Sequence, residues 1–155
     1  MNKKTFTRVL GILSMILIVT MILSACAEET LSDYETMSKK EYKAACKEIP
    51  YDKLAREGNN IIGEKVKIYG KVIQMLAPDD GGTGYEYRIA TSAGDYDIWL
   101  DDDISVFYDI EGKKKMLEDD FVTVYGEVTG DYTYETVQGG ERTVPSLIVY
   151  YVDIE

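Results

Sequence analysis

Two stretches of this chain share a pattern in which a glycine interrupts a run of strand-forming residues. VKIYGKV at residues 66–72 and VTVYGEV at residues 122–128 both fit V-x-[IV]-Y-G-[KE]-V. Glycine weakens a strand interior, and it often marks a bulge or a tight bend at the corner of a barrel. We therefore predict that Gly70 and Gly126 lie where two long strands coil around a barrel. The alternative is that two unrelated strands share common β-forming residues.

From residue 63 onward, apolar and polar residues alternate in five short runs. Such alternation is typical of strands with one buried and one solvated face. Turn-forming residues separate the runs at 79–84, 93–95 and 130–145, whereas residues 101–119 have no clear assignment. The predicted inward positions are Val66, Ile68 and Val72; Tyr85, Tyr87 and Ile89; Tyr96, Ile98 and Leu100; Val122, Val124 and Val128; and Ile148, Tyr150, Val152 and Ile154.

A short helical segment precedes these strands. Ser38 and Glu41 form a capping-box pattern, and the apolar residues that follow recur at helical spacing, so we predict a helix over residues 39–48. Pro50 ends it and opens a second brief helix that Gly58 stops. Cys46 falls on the apolar face, which favours a buried thiol over a reactive one. Together the patterns predict a mainly β fold, a five-stranded barrel of the oligonucleotide/oligosaccharide-binding (OB) type with a short N-terminal helical leader.

Three longer runs carry a family resemblance: YKAACKEIPYDKLAREGNNIIGEKVKIYGKVIQ at residues 42–74, FVTVYGEVTG at 121–130 and TVPSLIVYYVDI near the end. In these the chain resembles a group of small, mostly uncharacterised lipoproteins of Gram-positive bacteria. The resemblance implies an OB-like domain of the tRNA-anticodon-binding kind. It adds nothing about catalysis, because no catalytic set of that group can be carried over.

The first 26 residues have the pattern of a bacterial lipoprotein export signal. A basic start is followed by an uncharged run at residues 9–23, and Leu23, Ser24, Ala25 and Cys26 resemble a lipobox. The alternative, a transmembrane anchor, needs about 20 apolar residues, and this run is shorter and interrupted by polar ones. We expect a signal peptide at 1–25, a lipidated Cys26 with a tether at 26–37, and one domain at 38–155. This organisation predicts an extracytoplasmic protein held at the cell membrane by its lipid.

Acidic residues outnumber basic ones in the domain. The chain carries a formal charge of −11, which becomes −14 when the three basic residues of the leader are removed. Because phosphate contacts are normally made by Lys and Arg, this balance predicts that nucleic acid is an unlikely partner. The preferred interpretation is a non-catalytic binding or interaction module with an unknown protein or glycan ligand. The alternatives are a nucleic-acid-binding OB domain and an envelope-assembly or enzyme accessory factor that contacts a protein partner.

The residue types that carry most enzyme chemistry are scarce here. The chain has no histidine, so the commonest general base and metal ligand is missing, and we predict no catalytic residues and no cofactor. Asp101, Asp102 and Asp103 are weak candidates for a calcium site. They lack the spaced pattern of a calcium-binding loop, so a solvated charge run is the simpler interpretation.

Aromatic residues are the better candidates for recognition. OB barrels bind ligands on the face of their second and third strands and the loops beside it. By alternation Trp99, Arg88 and Glu86 point away from the core on these strands, and Tyr132 and Tyr134 could extend the same surface. These five residues are the predicted ligand-binding set. The alternative for Trp99 is packing under the helical leader or under residues 101–119.

Overall fold

The computed structural model describes residues 33–78, 80–94, 98–99, 101–136 and 138–155. The predicted signal peptide, Cys26 and most of the tether lie outside this part of the chain, whose helices include none long and apolar enough to cross a membrane. Contacts divide the chain into two compact units, Met1–Glu35 and Thr36–Glu155. A single helical turn, α1 (Asp33–Thr36), lies at the boundary, within the predicted tether.

The helical leader forms largely as the sequence predicts. Helix α2 (Lys39–Ala45) begins with the capping box: the Glu41 backbone N–H donates to Ser38 Oγ, and the Ser38 N–H donates to Glu41 Oε2 at 3.0 Å. The helix ends three residues earlier than predicted because Lys47–Glu48 forms a short strand, β1. Helix α3 (Tyr51–Glu57) follows Pro50 and ends at Gly58, and a 3-10 turn (Gly58–Asn60) leads into the barrel.

In the described part of the chain, five long strands form the barrel: β2 (Lys65–Leu76), β3 (Gly84–Ser92), β4 (Asp101–Asp109), β5 (Phe121–Glu135) and β6 (Glu141–Ile154). The sheet order is β1-β2-β3-β4-β6-β5, and a further pairing of β2 with β5 closes the ring. Strands β4 and β6 run parallel, and the other long strands pair antiparallel. A closed Greek-key barrel of five long strands is the OB fold, which confirms the predicted fold class.

The third long strand differs from the predicted one. Residues 98–99 lie outside the strands, and β4 occupies Asp101–Asp109, in the segment that had no clear assignment. Ile104, Val106 and Tyr108 alternate there and are buried. Three consecutive aspartates at the start of this strand hide its pattern, and pairing within the sheet outweighs their low strand propensity.

The two echoed glycines lie at bends of the barrel, as predicted. Gly70 pairs with β5 just before β2 passes to its other neighbour, β3. A Cβ at Gly70 would collide with the carbonyl oxygen of Ala90, and one at Gly126 would collide with the carbonyl oxygen of Ile148. Gly126 also lies at a register shift in the β5–β6 pairing. Both strands therefore coil tightly enough to require glycine.

Candidate ligand-binding site

The hairpin of β5 and β6 extends beyond the barrel, and its tyrosines lie against side chains of β3 and β4. Gly130, with φ at +97°, lies at a register shift where this extension begins. The base of the hairpin is held to the 3-10 turn, because Asn59 Nδ2 donates to Asp131 Oδ2 at 2.6 Å and the Asp131 N–H donates to Asn59 Oδ1 at 3.1 Å. These contacts position Tyr132 and Tyr134.

Arg88 lies beneath those tyrosines. Arg88 lies between the core residues Tyr87 and Ile89, so alternation places its side chain on the outer face of β3. The side chain is nevertheless only 3% exposed. Its guanidinium carbon lies 3.7 Å from the ring centre of Tyr134 and 5.3 Å from that of Tyr132. Both contacts have the geometry of cation–π interactions. The tyrosine rings of the hairpin thus cover an arginine that points away from the barrel core.

Glu86 contacts three neighbouring side chains, those of Arg88, Ser105 and Tyr132. One of its oxygens lies 2.8 Å from Arg88 Nη2 and accepts a hydrogen bond from Ser105 Oγ, and the other accepts one from the Tyr132 hydroxyl. Burial, followed by the nearby Glu86 carboxylate, raises the pKa of Tyr132. The Tyr132 ring also makes an edge contact with Phe107 on β4, with ring centres 5.3 Å apart.

Two donors of Arg88 remain unused. Its Nε and Nη1 atoms are buried and find no hydrogen-bond partner among the described residues. A buried donor without a partner costs about 1–3 kcal/mol, so this arrangement is costly unless a further acceptor is supplied. Arg88 therefore holds unused capacity to bind an acceptor group.

A cleft of about 400 Å³ opens beside Arg88. The tyrosines of the hairpin form one wall, and the end of β2 forms another. Among the described residues that line it, Arg88 is the one cation, against the carboxylates of Glu86 and Glu135. The lining residues are Gln74, Leu76, Glu86, Arg88, Tyr132, Tyr134, Glu135 and Thr136.

Four of the five predicted ligand-binding residues, Glu86, Arg88, Tyr132 and Tyr134, meet at this cleft. Trp99 does not join them. It is half-buried, and its ring makes edge contacts with Tyr69 and Phe121 at centre separations of 6.1 and 5.3 Å. Its predicted place rested on a strand through residues 96–100, and Trp99 itself lies outside the strands.

Sequence reasoning missed Phe107 and Ser105, which support Tyr132 and Glu86 from β4. Both alternate with the buried residues Ile104, Val106 and Tyr108. Assigning that strand correctly would have placed them on the same face as Arg88, because side chains two apart share one face of a sheet.

Two of the three aspartates at the start of β4, Asp102 and Asp103, are engaged within the chain. Asp103 is buried and forms an ion pair with Arg142. Asp102 has a positive φ of 53°, and its Oδ2 accepts a hydrogen bond from Ser92 Oγ at 2.9 Å. The side chain of Asp101 lies outside the described residues. Within the described part of the chain, no group of three or more Cys, Asp or Glu side chains is arranged to hold a metal ion.

Cys46 is buried at the end of α2, as its helical position suggests. Burial raises the pKa of its thiol. A buried thiol with a raised pKa has little thiolate character, so this environment does not activate it.

No protein-family model and no curated protein matches this chain. Several solved structures do. A mitochondrial single-stranded DNA-binding protein of S. cerevisiae, Rim1, is 19% identical over 59% of this chain and 94% of its own, with a TM-score of 0.37. A small single-stranded DNA-binding protein of Streptomyces coelicolor is 18% identical over 60% and 94%, with a TM-score of 0.43. A protein described as an aspartyl-tRNA synthetase of Leishmania major Friedlin is 12% identical over 91% of this chain and 26% of its own, with a TM-score of 0.48.

The prediction that nucleic acid is an unlikely partner is wrong, because single-stranded DNA-binding proteins are among these matches. Its physical fault is that net charge bears on contacts to phosphate. A single strand also presents its bases, which bind by stacking on aromatic rings.

Proposed function

We propose that this chain is a lipid-anchored, extracytoplasmic OB module that binds single-stranded nucleic acid without catalysing a reaction. The observation that carries the proposal is Arg88, a buried guanidinium with two unused donors, which lies under an aromatic ring at the edge of an open cleft. The cleft lies on the surface that OB barrels commonly use, the face of the strands here called β3 and β4 and the adjoining hairpin.

The chemistry of the cleft fits a base better than a phosphate. The rings of Tyr132 and Tyr134 are nearly parallel, at 18°, with centres 6.4 Å apart, and both are half-buried. Bases stack on such rings with about 1–3 kcal/mol each. Neutral base carbonyls and ring nitrogens can accept from Arg88, whereas Glu86 and Glu135 repel a phosphate. We therefore propose that bases enter the cleft and the backbone stays outside.

A test of this proposal is the binding of a fluorescent single-stranded oligonucleotide to the full chain, followed by anisotropy. We expect Tyr134→Ala to weaken binding at least fivefold, because the stacking ring is lost. Arg88→Lys keeps a cation beside Glu86 but removes the unused donors, and we expect a similar loss. Tyr69→Ala is the matched control, because Tyr69 is an exposed tyrosine that does not line this cleft.

The salt dependence of the oligonucleotide affinity distinguishes base stacking in the cleft from binding along the phosphate backbone. A site that neutralises several phosphates loses affinity steeply as salt rises, whereas a base-stacking cleft lined by one arginine loses little. Melting curves of each variant establish that it is folded. Absence of binding by the parent chain, or equal affinities for all three variants, would contradict the proposal.

The proposed anchor rests on the lipobox pattern around Cys26, whose thiol is the acceptor for a diacylglycerol. Two acyl chains hold a protein stably at a membrane, where one gives only marginal binding. We expect Cys26→Ser to abolish labelling by a radioactive fatty acid in cells and to leave an unprocessed precursor. Lipid-labelled protein of mature length from this variant would refute the anchor.

A further inference from the structure

A second cleft lies where β4 and β6 cease to pair. Their parallel pairing ends at Tyr108 and Val149, and residues that follow on both strands line a cavity of about 410 Å³. Lys113 and Lys114 come from the segment after β4, and Lys39 comes from the first turn of α2. None of these residues lines the Arg88 cleft.

Positive charge predominates in this basic cleft. Among the described residues of its lining, Asp153 is the one carboxylate, and both of its oxygens lie 2.6 Å from Lys43 Nζ. Asp109 interacts with Lys113 from outside the lining. In the described lining, three ammonium groups thus stand against one carboxylate that Lys43 already pairs, in a chain whose net charge is −11. Such local excess attracts an anion although the whole molecule is acidic.

Aromatic rings hold two of these lysines at the wall. Lys39 Nζ lies 5.6 Å from the ring centre of Tyr151, and Lys113 Nζ lies 5.3 Å from that of Tyr108. These distances are within the range of cation–π contacts. The lysine side chains are thereby ordered before a ligand binds, so they lose less conformational entropy on binding.

We propose that this basic cleft binds the phosphate of an anionic phospholipid headgroup. The inference rests on the proposed lipid anchor: Lys39 follows Cys26 by thirteen positions, a distance of at most about 45 Å even in a fully extended chain. An anchored domain would therefore meet headgroups at high effective concentration. Each lysine near an anionic membrane surface adds to the attraction, so several together hold the domain against the bilayer.

The test is a calorimetric titration of the purified full chain, in neutral detergent, with short-chain phosphatidylglycerol. We expect binding that is absent with short-chain phosphatidylcholine and weaker with inorganic phosphate. Lys39→Gln and Lys114→Gln should each lower the affinity about fivefold. Lys53→Gln, an exposed lysine of α3 outside the cleft, should leave it unchanged.

Three results would overturn the proposal. One is equal affinity for inorganic phosphate and phosphatidylglycerol, which would indicate a site for free phosphate. Another is a competition result in which a single-stranded oligonucleotide displaces the lipid from the parent chain but not from the Lys114→Gln variant. This result would assign the cleft to a nucleic-acid backbone. The third is unchanged affinity in both lysine variants. The titration uses soluble lipid, so its outcome is separate from that of the Cys26→Ser test.

Discussion

Gly70 and Gly126 leave no room for a side chain. The nearest obstacle to a Cβ is a backbone carbonyl in both places, and backbone cannot move aside as a flexible side chain can. We expect Gly70→Ala and Gly126→Ala each to lower the free energy of unfolding by about 1–3 kcal/mol, through overpacking and strain. Thermal and urea melts measure this.

Gly84→Ala is the matched control for those variants. Gly84 also lies in a strand, but a Cβ there has no neighbouring atom within 4 Å. We expect its stability to equal or slightly exceed that of the parent, because alanine restricts the unfolded chain more than glycine does. Equal melting temperatures for all three variants would refute the bend at these glycines.

We expect the stability of the protein to fall at alkaline pH because of Tyr87. Burial raises its pKa to about 12, above the value of about 10 expected in the unfolded chain. Its contribution is therefore complete below pH 10 and is lost as the pH rises through 12. We expect Tyr87→Phe to retain more of its melting temperature than the parent between pH 10 and 12. Parallel curves for the two proteins would show that Tyr87 is not responsible.

At the residue scale, the sequence predicts much of the site. Alternation along β3 places Arg88 and Glu86 on one face, and both lie at the cleft. It does not predict that Arg88 is buried, because the covering rings come from a hairpin more than forty residues away. Nor does alternation predict the position of Trp99. That position depends on where β4 begins and not on the residue type of Trp99.

At the element scale, helix α2 is fastened to the barrel by Tyr42. Its ring is fully buried and makes edge contacts with Tyr150 and Tyr151, at 5.5 and 5.6 Å between centres. We expect Tyr42→Ala to cost about 3–5 kcal/mol, as for other large aromatic side chains. Tyr42→Phe should cost only about 1 kcal/mol, since it loses the 3.3 Å hydrogen bond to Glu127 and keeps the packing.

Chemical denaturation of the two Tyr42 variants distinguishes packing from hydrogen bonding. A similar loss of unfolding free energy in Tyr42→Ala and Tyr42→Phe would mean that the Tyr42 hydroxyl, and not its ring, holds α2 against the barrel. The amphipathic spacing in the sequence indicates which face of α2 is buried, but it does not indicate which strand receives it. That choice depends on the course of β6.

Local signals predict the ends of elements well where they are strong. Ser38 and Glu41 fix the start of α2, and Pro50 and Gly58 bound α3. The end of α2 and the whole of β4 are set instead by pairing with other strands, as at Lys47 with Val66 and Arg88 with Ser105. Propensity within a short window does not contain that information.

At the scale of the whole molecule, charge is divided between surfaces. The Arg88 cleft combines one guanidinium with two carboxylates, whereas the basic cleft gathers lysines from α2 and from the segment after β4. Composition gives the sum of these charges and not their placement. Net charge misled the prediction about nucleic acid because it bears on phosphate contacts and not on base stacking. Alternation predicted the fold class, but it misplaced the third long strand and the buried face of β6, where Ile148 is exposed and Leu147 and Val149 are buried.

The central claim is that the Arg88 cleft is the ligand-binding surface of this OB module. The most direct test is a nuclear magnetic resonance titration of the isotope-labelled full chain with a short single-stranded oligonucleotide. We expect chemical-shift changes concentrated at Glu86, Arg88, Tyr132 and Tyr134. Changes confined to Lys113, Lys114 and Tyr151, or no changes at saturating oligonucleotide, would contradict the claim.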